Sequence, residues 1–347
     1  MRFKKEGLIS IGITFLCLFS FLSIEIKAQE LERYQFRSNH MGSQFTIVLY
    51  SDSKQRAEAL ANDTFNLIEE MNRVMSDYLP ESELNRLSAT SGSDREVKVS
   101  DSLFEILKSS KEISENTDGL FDVTIGPLTR AWRMTRMMPE PVLPDEDELN
   151  DLLSRVGYGY IHLNEENQTV SLEKEGMRLD LGGIAKGYAA ERAVNYMSEM
   201  GIHKSFLDAG GDITLGDAPP GRDYWEVAIP VRRGENGSHI RVGLTNKTVT
   251  TSGDMFQYVV IDGIRYSHII VPHTGIGSTE QVQATVISDN GMYADAYASA
   301  LTLMDPEEGI RLIESIKNTE AIIFVNQNEE IVRWTTSGFN QYLLDQD

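Results

Sequence analysis

The chain has 347 residues, is 41% hydrophobic and carries a formal net charge of −21. That much apolar chain can build the core of one large domain or two small ones. A surface this acidic repels nucleic acid, and no basic stripe in the sequence offsets it, so nucleic-acid binding is excluded. An anionic ligand would therefore need local donors or a metal ion to hold it.

The N-terminal segment is typical of a secretory signal. Basic residues precede an apolar run from Leu8 to about Leu22, and the small residue Ala28 offers a cleavage point. We therefore predict a signal peptide over residues 1–28 and an exported, periplasmic chain over residues 29–347. The alternative is an anchor retained in the inner membrane, although the apolar run is somewhat short to span a bilayer.

The only cysteine, Cys17, lies inside that apolar run. Cleavage after Ala28 would leave a mature chain without cysteine, which excludes disulfide bonds, thiol catalysis and cysteine–zinc sites. Stability must therefore come from an ordinary apolar core.

Hydrophobic periodicity and turn signals predict the secondary structure. In chain order, we expect a turn and strand within Asn39–Tyr50, helices over Ser53–Met75 and Ser102–Thr117, a short helix after Pro144, two strands between Ile161 and Leu181, a helix over Ile184–Met200, mainly strands over Ser205–Ser288, helices near Ala294–Leu303 and Pro306–Lys317, and a strand over Ala321–Val325. Asp262-Gly263 predicts a hairpin. Because helices and hairpins occur without a regular βαβ alternation, we predict a mixed α+β fold.

The segment LDLGGIAKGYAAERAV passes from a predicted strand carrying Asp180, through two glycines, into a helix. Gly182 and Gly183 let the backbone approach a ligand, and the helix N-terminus offers N–H groups and a partial positive charge. Lys186 adds a full charge. These are the parts of a phosphate or pyrophosphate site, although their order fits neither a Walker A loop nor GxGxxG. The alternative is a turn that serves only tight packing.

The segment MYADAYASALTLM places Asp295 and Ser299 four residues apart, on one face of a predicted helix. A hard cation such as Mg²⁺ prefers oxygens of this kind. The alternative is a solvated or N-capping Asp at the start of a buried, alanine-rich helix.

The segment YSHIIVPHTGIG places His268 at the end of a strand and His273 on the turn that follows. A histidine can act as a general base at neutral pH. A packed, hydrogen-bonded strand residue is the alternative for His268, and His273 is expected to be merely exposed. Two glycine clusters, DAGGDI and VTTSGDMFQY, are either simple turns or backbone contacts with a bulky ligand.

Taken in order, these segments resemble the ApbE family, the FAD:protein FMN transferases. The matching segments are HMGSQFTI, MSDYLPESELNRLS, GLFDVTIGPLTRAW, LDLGGIAKGYAAE, LDAGGDI, TSGD, YSHIIVPHTG and ADAYASAL, which span nearly the whole chain after the signal. The resemblance implies a T-fold-related α+β catalytic domain over residues 29–347. It also implies largely antiparallel sheets, with the flavin site in a cleft between subdomains.

The activity implied by the resemblance is protein flavinylation: Mg²⁺-dependent transfer of FMN from FAD to a Ser or Thr hydroxyl of an acceptor flavoprotein, with release of AMP. The acceptor would carry a D-x-x-[ST]-G-[AS]-[ST] pattern, which this chain lacks, so self-modification is not expected. A Mg²⁺-dependent FAD pyrophosphatase giving FMN and AMP, and a non-catalytic FAD-binding protein, remain as alternatives. The oligomeric state is left open.

The resemblance assigns roles to particular positions. The flavin-contacting residues would be Met41, Tyr78, Leu120, Phe121, Asp122, Asp180, Lys186 and Ile270. The metal ligands would be the backbone carbonyls of Gly183 and Ala298 and the side chains of Asp295 and Ser299, and His268 matches the proposed general base. This grouping joins the glycine turn and the Asp295 helix into one centre for Mg²⁺ and pyrophosphate.

The chain departs from the family's pattern at three positions, of which two are assigned metal ligands and one follows Ile270. Val271 stands where Asp is usual, so activity or geometry changes here if that carboxylate orients the site. Ser299 replaces a common Thr but keeps the hydroxyl, and Ala298 stands where some relatives have a second Asp. With Asp295 as the only carboxylate, we expect weaker Mg²⁺ binding than in those relatives.

Overall fold

The computed structural model describes residues 31–231, 239–253, 257–327 and 330–344. The predicted signal peptide, residues 1–28, lies outside the described residues. Leu31–Asp347 forms one compact unit. Within the described ranges, no helix is both long and apolar enough to cross a membrane.

Strands and helices follow one another irregularly along the chain. The strands are β1 (Glu32–His40), β2 (Ser43–Ser51), β3 (Val97–Lys98), β4 (Ile161–Asn164), β5 (Thr169–Leu172), β6 (Ser205–Ala209), β7 (Ile213–Leu215), β8 (Trp225–Pro230), β9 (His239–Leu244), β10 (Thr248–Gly253), β11 (Tyr258–Ile261), β12 (Ile264–Ser267), β13 (Val282–Ser288), β14 (Thr319–Gln327) and β15 (Glu330–Thr335). The α-helices are α1 (Lys54–Met75), α2 (Glu83–Ser88), α3 (Asp101–Asn116), α4 (Gly126–Met137), α5 (Glu146–Leu153), α6 (Ala185–Glu199), α7 (Gly291–Leu301) and α8 (Pro306–Glu314), with short 3-10 helices at Tyr158–Tyr160 and Phe339–Tyr342.

One large sheet organises the described residues. Its eight strands run in the order β1-β2-β6-β7-β10-β13-β14-β15, and every neighbouring pair is antiparallel. Smaller sheets are formed by β8-β9, β11-β12 and β3-β5-β4. The β11-β12 hairpin turns through Asp262-Gly263, both with positive φ, as predicted. The α+β class and the antiparallel character of the sheets are confirmed.

The large sheet lies between two apolar layers. Along β2, Phe45, Ile47 and Leu49 are buried in a core that they share with residues of α1, α6 and α7. Val48, pointing the opposite way, belongs to a second core with residues of β8 and β9. This alternation is the period of two expected of a strand that is buried on both faces.

Helices α1 and α3 form at the predicted places, with bounds within one residue of the predicted ones, and capping residues set their N-termini. The Ser53 side chain accepts the N–H of Arg56 at the start of α1, and Ser100 caps α3 in the same way through Leu103. Each cap satisfies an N–H group that the first helical turn would otherwise leave unpaired.

Helix α4 was not predicted from the sequence. Pro127 occupies its first turn, where the missing N–H costs no hydrogen bond. Leu128 and Trp132 are buried in a small apolar cluster with Tyr266 and Ile270 of the β11-β12 region. Tertiary packing of these two side chains, rather than a long apolar stripe, accounts for the helix.

The strand predicted to carry Asp180 is wrong, because no regular strand forms there. The backbone N–H of Asp180 donates to the carbonyl of Val123 at 2.8 Å, and Arg178 makes an isolated bridge to Ile125. The segment is therefore an extended connection pinned beside the start of α4.

Helices α6 and α7 touch backbone to backbone. A Cβ atom placed on Gly187 would overlap the carbonyl oxygen of Gly291 and lie 2.7 Å from the Cβ of Asp295. A Cβ on Gly291 would likewise overlap the carbonyl oxygen of Gly187. The two glycines thus set the distance between the helices, and they bring Asp295 to the first turn of α6.

We expect Gly187→Ala to destabilise the protein by about 1–3 kcal/mol, the usual cost of overpacking a close contact. Gly159→Ala is the matched control, since a Cβ at Gly159 meets no atom of the described residues within 4 Å. Urea unfolding followed by circular dichroism measures both free energies. Equal stability of the two variants would show that α6 and α7 can separate without cost.

Candidate active site

The N-terminus of α6 is capped by a carboxylate from another helix. Ile184, at the N-cap position, provides no side-chain hydrogen bond. Asp295 of α7 instead accepts the N–H of Gly187 at 2.9 Å. The positive end of the helix dipole, where the sequence predicted a bound anion, therefore already holds one of the protein's own carboxylates.

Lys186 is a fixed cation among acidic groups. Its ammonium group donates to the carboxylate of Asp212, which follows the Gly210-Gly211 turn. Burial lowers the pKa of Lys186, but the charges of Asp212, Asp295 and Asp208 outweigh it and raise that pKa above its ordinary value. Lys186 therefore remains charged.

Asp295 is only 3% exposed. Burial, reinforced by the negative charge of Asp212, raises the pKa of its carboxyl group to about 7, against the attraction of Lys186 and of the N–H groups of α6. Burial also raises the pKa of Asp212. One lysine therefore does not balance the negative charge of this centre, and a second cation would relieve it.

Ser299 lies one helical turn after Asp295, as the spacing predicted. Its hydroxyl group is 3.0 Å from that of Ser252 in β10. A Cβ placed on Gly183 would lie 3.5 Å from Ser299 Oγ, so the glycine turn passes directly beside the hydroxyl. Ala298 is fully buried in the same helix. The structure brings the Gly183 turn and the Asp295–Ser299 face of α7 together.

These groups fit a magnesium ion. Within the described ranges no group of three or more His, Cys, Asp or Glu side chains could hold a metal. A cation here would therefore use Asp295, a hydroxyl and carbonyl oxygens, and would complete its shell with water or phosphate oxygens. Mg²⁺ commonly binds in this way, with one or two carboxylates and the substrate's phosphates. The unbalanced charge at Asp295 supports the same ligand.

A second polar cluster surrounds Arg133 of α4. Its guanidinium group donates to Asp77 and, at 2.9 Å, to Asp180, and its Cζ atom lies 4.1 Å from the centroid of the Tyr78 ring. Thr129, one turn earlier, donates to the same Asp180 oxygen at 2.7 Å. Tyr78 is 71% exposed, so part of its ring remains open to a planar ligand.

Asp180 connects this cluster to the glycine turn. Its other carboxylate oxygen accepts the N–H of Gly182 at 2.8 Å. One carboxylate thus holds α4 through Arg133 and, at the same time, fixes the turn that passes Ser299.

The segment Leu120–Asp122 lies behind the glycine turn. A Cβ on Gly183 would be 3.5 Å from the buried ring of Phe121, and Leu120 is half-buried. Asp122 accepts hydrogen bonds from the backbone and hydroxyl of Thr124, at 2.8 and 2.6 Å, and from the N–H of Tyr158 at 2.8 Å. Burial raises the pKa of the Asp122 carboxyl group against these bonds. Its side chain therefore holds the loop.

His268 follows β12 and is half-buried. Its backbone N–H donates to the carbonyl of Gln257 at 3.1 Å, and its Nδ1 lies 3.1 Å from the same oxygen. Two residues later, Ile270 is buried in the cluster with Trp132. The indole of Trp132 also donates to the carbonyl of Gly275 at 2.8 Å, which fixes the turn after Val271 to α4.

Met41 forms the turn between β1 and β2, with a φ of 48°, and is half-buried against the main core. Close by, a Cβ on Gly210 would lie 2.7 Å from the Cβ of Ser43. The β1-β2 turn therefore packs on the Gly210-Gly211 turn that precedes Asp212.

Sequence reasoning missed three members of these clusters. Asp212 lies in DAGGDI, which was interpreted through its glycines alone. Asp77 stands next to Tyr78, but nothing in the sequence shows its ion pair. Nothing in the sequence pointed to Arg133 as a site residue, because no helix was predicted at its position.

Comparison with known proteins identifies the family. The ApbE family model matches residues 41–323. An FAD:protein FMN transferase from Vibrio cholerae is 30% identical over 291 residues, covering 83% of this chain and 85% of that protein. A protein of the same name from Treponema pallidum is 29% identical over 280 residues and covers 76% of each chain.

Solved structures of ApbE proteins have the same fold as this chain. The flavin transferase ApbE from Vibrio cholerae superposes with a TM-score of 0.82 at 27% identity, covering 90% of this chain and 100% of that one. The ApbE protein from Thermotoga maritima gives a TM-score of 0.80 at 26% identity, with the same coverage. Sequence, architecture and the conjunction of the glycine turn with α7 lead to one conclusion: the chain belongs to the ApbE family, a family of transferases.

Proposed function

We propose that the chain is an exported, periplasmic FAD:protein FMN transferase. It moves FMN from FAD to a Ser or Thr hydroxyl of an acceptor flavoprotein with a D-x-x-[ST]-G-[AS]-[ST] pattern and releases AMP. The observation that carries the proposal is the meeting of the Gly183 turn with Asp295 and Ser299, beside Lys186, in a chain whose relatives bear that enzyme name.

Mg²⁺ would be held by the side chains of Asp295 and Ser299 and the carbonyls of Gly183 and Ala298. When bound, it would neutralise the pyrophosphate and stabilise the leaving AMP. Lys186 adds a second positive charge, and the hydrogen bond between Ser252 and Ser299 orients the Ser299 hydroxyl. Phosphoryl transfer is mostly positioning and charge stabilisation, so a rigid centre of this kind is adequate.

The transfer step needs one proton acceptor. The acceptor hydroxyl oxygen bonds to the FMN phosphorus, the bond from that phosphorus to the bridging oxygen breaks, and AMP leaves with the bridging oxygen. His268 takes the hydroxyl proton. A carbonyl can only accept, so the contact with Gln257 places the proton of the neutral ring on Nδ1 and the basic lone pair on Nε2.

The cluster around Arg133 would hold an aromatic end of FAD. Tyr78 supplies a ring for stacking, and Arg133 keeps that ring and Asp180 in place. Phe121 lies beside the Gly183 turn and Ile270 packs against Trp132 of α4, which supports the proposal that they contact the flavin.

His268→Ala is expected to slow FMN transfer about 10²–10⁴-fold, the usual contribution of general base catalysis, and to leave FAD binding nearly intact. The exposed neighbour His273→Ala is the control and should retain transfer. The assay incubates the protein with FAD, Mg²⁺ and a carrier protein bearing the acceptor pattern, then measures FMN fluorescence on the denatured carrier. Free FMN and AMP without labelling would instead establish the pyrophosphatase, and binding without turnover the non-catalytic alternative.

Mg²⁺ binding should weaken as the pH falls, because a proton competes for Asp295, whose pKa is raised to about 7. Without metal, a raised carboxyl pKa destabilises the folded state progressively as the pH rises from about 4 through 7. The increase in Tm caused by Mg²⁺ should therefore be larger at pH 8 than at pH 6. Asp295→Asn should abolish the Mg²⁺-dependent increase at both values, and an unchanged increase would contradict the proposed ligand.

Arg133→Met is expected to weaken FAD binding tenfold or more, since it leaves Asp77 and Asp180 without their shared cation and Tyr78 without its partner. Arg133→Lys should give an intermediate loss, because an ammonium group lacks the guanidinium fork. The exposed Arg130→Met on the same helix is the control. Fluorescence titration measures the affinity of each of the three variants for FAD. Equal affinities of the Arg133 variants and the Arg130 control would exclude Arg133 from the site.

A further inference from the structure

Strand β10 extends beyond its neighbour in the main sheet. On one side it pairs with β13 along its full length, from Thr248 to Gly253. On the other side it pairs with β7 only at Thr248 and Val249. Strand β7 begins only at Ile213, after the turn at Gly210-Gly211, so it does not reach the position beside β10 beyond Val249. We call this position the β10 lane.

The register shows which backbone groups face the β10 lane. The carbonyl of Lys247 accepts from Leu215 in the β7 segment, so the odd-numbered residues of β10 direct their backbone groups to that side. Thr251 and Gly253 therefore present N–H and C=O groups to the lane. Among the residues that the structure describes, neither has a backbone partner there.

A cavity of about 260 Å³ lies along this edge. Its lining combines the exposed end of β10, the Gly210-Gly211 turn, strand β8 and the start of β13. It includes Thr251, Gly253, Gly210, Gly211, Ala228 and Gln283. The absence of side chains on three of these residues leaves room for another backbone to approach.

Gln283 indicates what kind of group the cavity would receive. It is only 4% exposed, its Nε2 donates to the carbonyl of Pro230, and its Oε1 has no hydrogen-bond partner among the described residues. A buried acceptor without a partner is costly, and an incoming N–H group would satisfy it. Gln283 lies on β13, on the opposite side of β10 from the lane, so a side chain of an added segment, rather than its backbone, would supply this donor.

The β10 lane also leads to the candidate metal ligands. The Ser252 side chain points to α7, where it contacts Ser299. In an antiparallel pair, residues directly opposite one another project to the same face of the sheet. A residue of an added strand opposite Ser252 would therefore direct its side chain toward Ser299.

We propose that an extended segment of the acceptor protein adds to β10 as a strand in the β10 lane and places its Ser or Thr opposite Ser252. This inference rests on the proposed transferase function and deepens it. Backbone hydrogen bonds to Thr251 and Gly253 provide the docking, as in other cases of strand addition to an exposed sheet edge.

Thr251→Pro tests the inference, because it removes an N–H that faces the lane and leaves the hydrogen bonds to β13 in place. Thr251→Val is the matched control: it also loses the hydroxyl contact with Thr285 but keeps the N–H. The full-length protein is assayed with FAD, Mg²⁺ and a carrier protein tagged with the acceptor pattern, and FAD affinity is measured in parallel. We expect kcat/KM for the carrier to be about tenfold lower for Thr251→Pro than for Thr251→Val, the effect of one lost hydrogen bond, with equal FAD affinity.

Equal labelling by the two Thr251 variants would overturn the inference, and so would a parallel loss of FAD affinity, which would assign the cavity to the flavin. If Thr251→Pro does not fold, a carrier with proline next to its modified Ser or Thr replaces it, since this removes an N–H that would donate to β10 without altering the enzyme. This change should raise KM for the carrier and leave FAD affinity unchanged. Failure of the wild-type protein to label the carrier would refute the transferase function itself, a result distinct from equal labelling by the variants.

Discussion

The backbone contact between α6 and α7 is the constraint on which the candidate site depends. Gly187 and Gly291 allow the two helices to approach until a Cβ on either would overlap the other's carbonyl oxygen. Only at that distance can the Asp295 carboxylate reach the N–H of Gly187. The same approach places Ser299 beside the Gly183 turn, so one packing contact assembles groups that lie more than a hundred residues apart in the chain.

The contact has an electrostatic consequence. A carboxylate at a helix N-terminus is ordinarily favourable, because it meets the positive end of the dipole. Here burial and the nearby Asp212 oppose that gain, and the pKa of Asp295 rises to about 7. The fold thus holds a carboxyl group that gains from a neighbouring cation more than an exposed one would. For the proposed function this matters, because the acidic surface of the protein repels a pyrophosphate and a cation held at Asp295 would offset that repulsion.

The parts of the site that could be predicted from sequence are those fixed by local rules. The helical spacing of Asp295 and Ser299, the caps of α1 and α3 and the Asp262-Gly263 hairpin depend on neighbours within a few residues, and each is found in the structure. The ion pairs of Arg133 and Lys186 depend on tertiary approach, so no periodicity could reveal them. Helix α4 was missed for a related reason: its stability comes from burying Leu128 and Trp132 against a distant hairpin.

Asp180 shows how the two halves of the site become one. The sequence placed it on a strand, and the resemblance assigned it to the flavin, but its oxygens are occupied by Arg133, Thr129 and the N–H of Gly182. It therefore acts as a tie between the cluster at Tyr78 and the turn at Gly183. FAD has an aromatic group on each side of its pyrophosphate. If one of them stacked on Tyr78 as proposed, Asp180 would fix the distance between that ring and the turn beside Asp295 and Ser299. Asp180, which the resemblance assigns to the flavin, thus also has a structural role within the protein, and Arg133, to which no motif points, holds it in place.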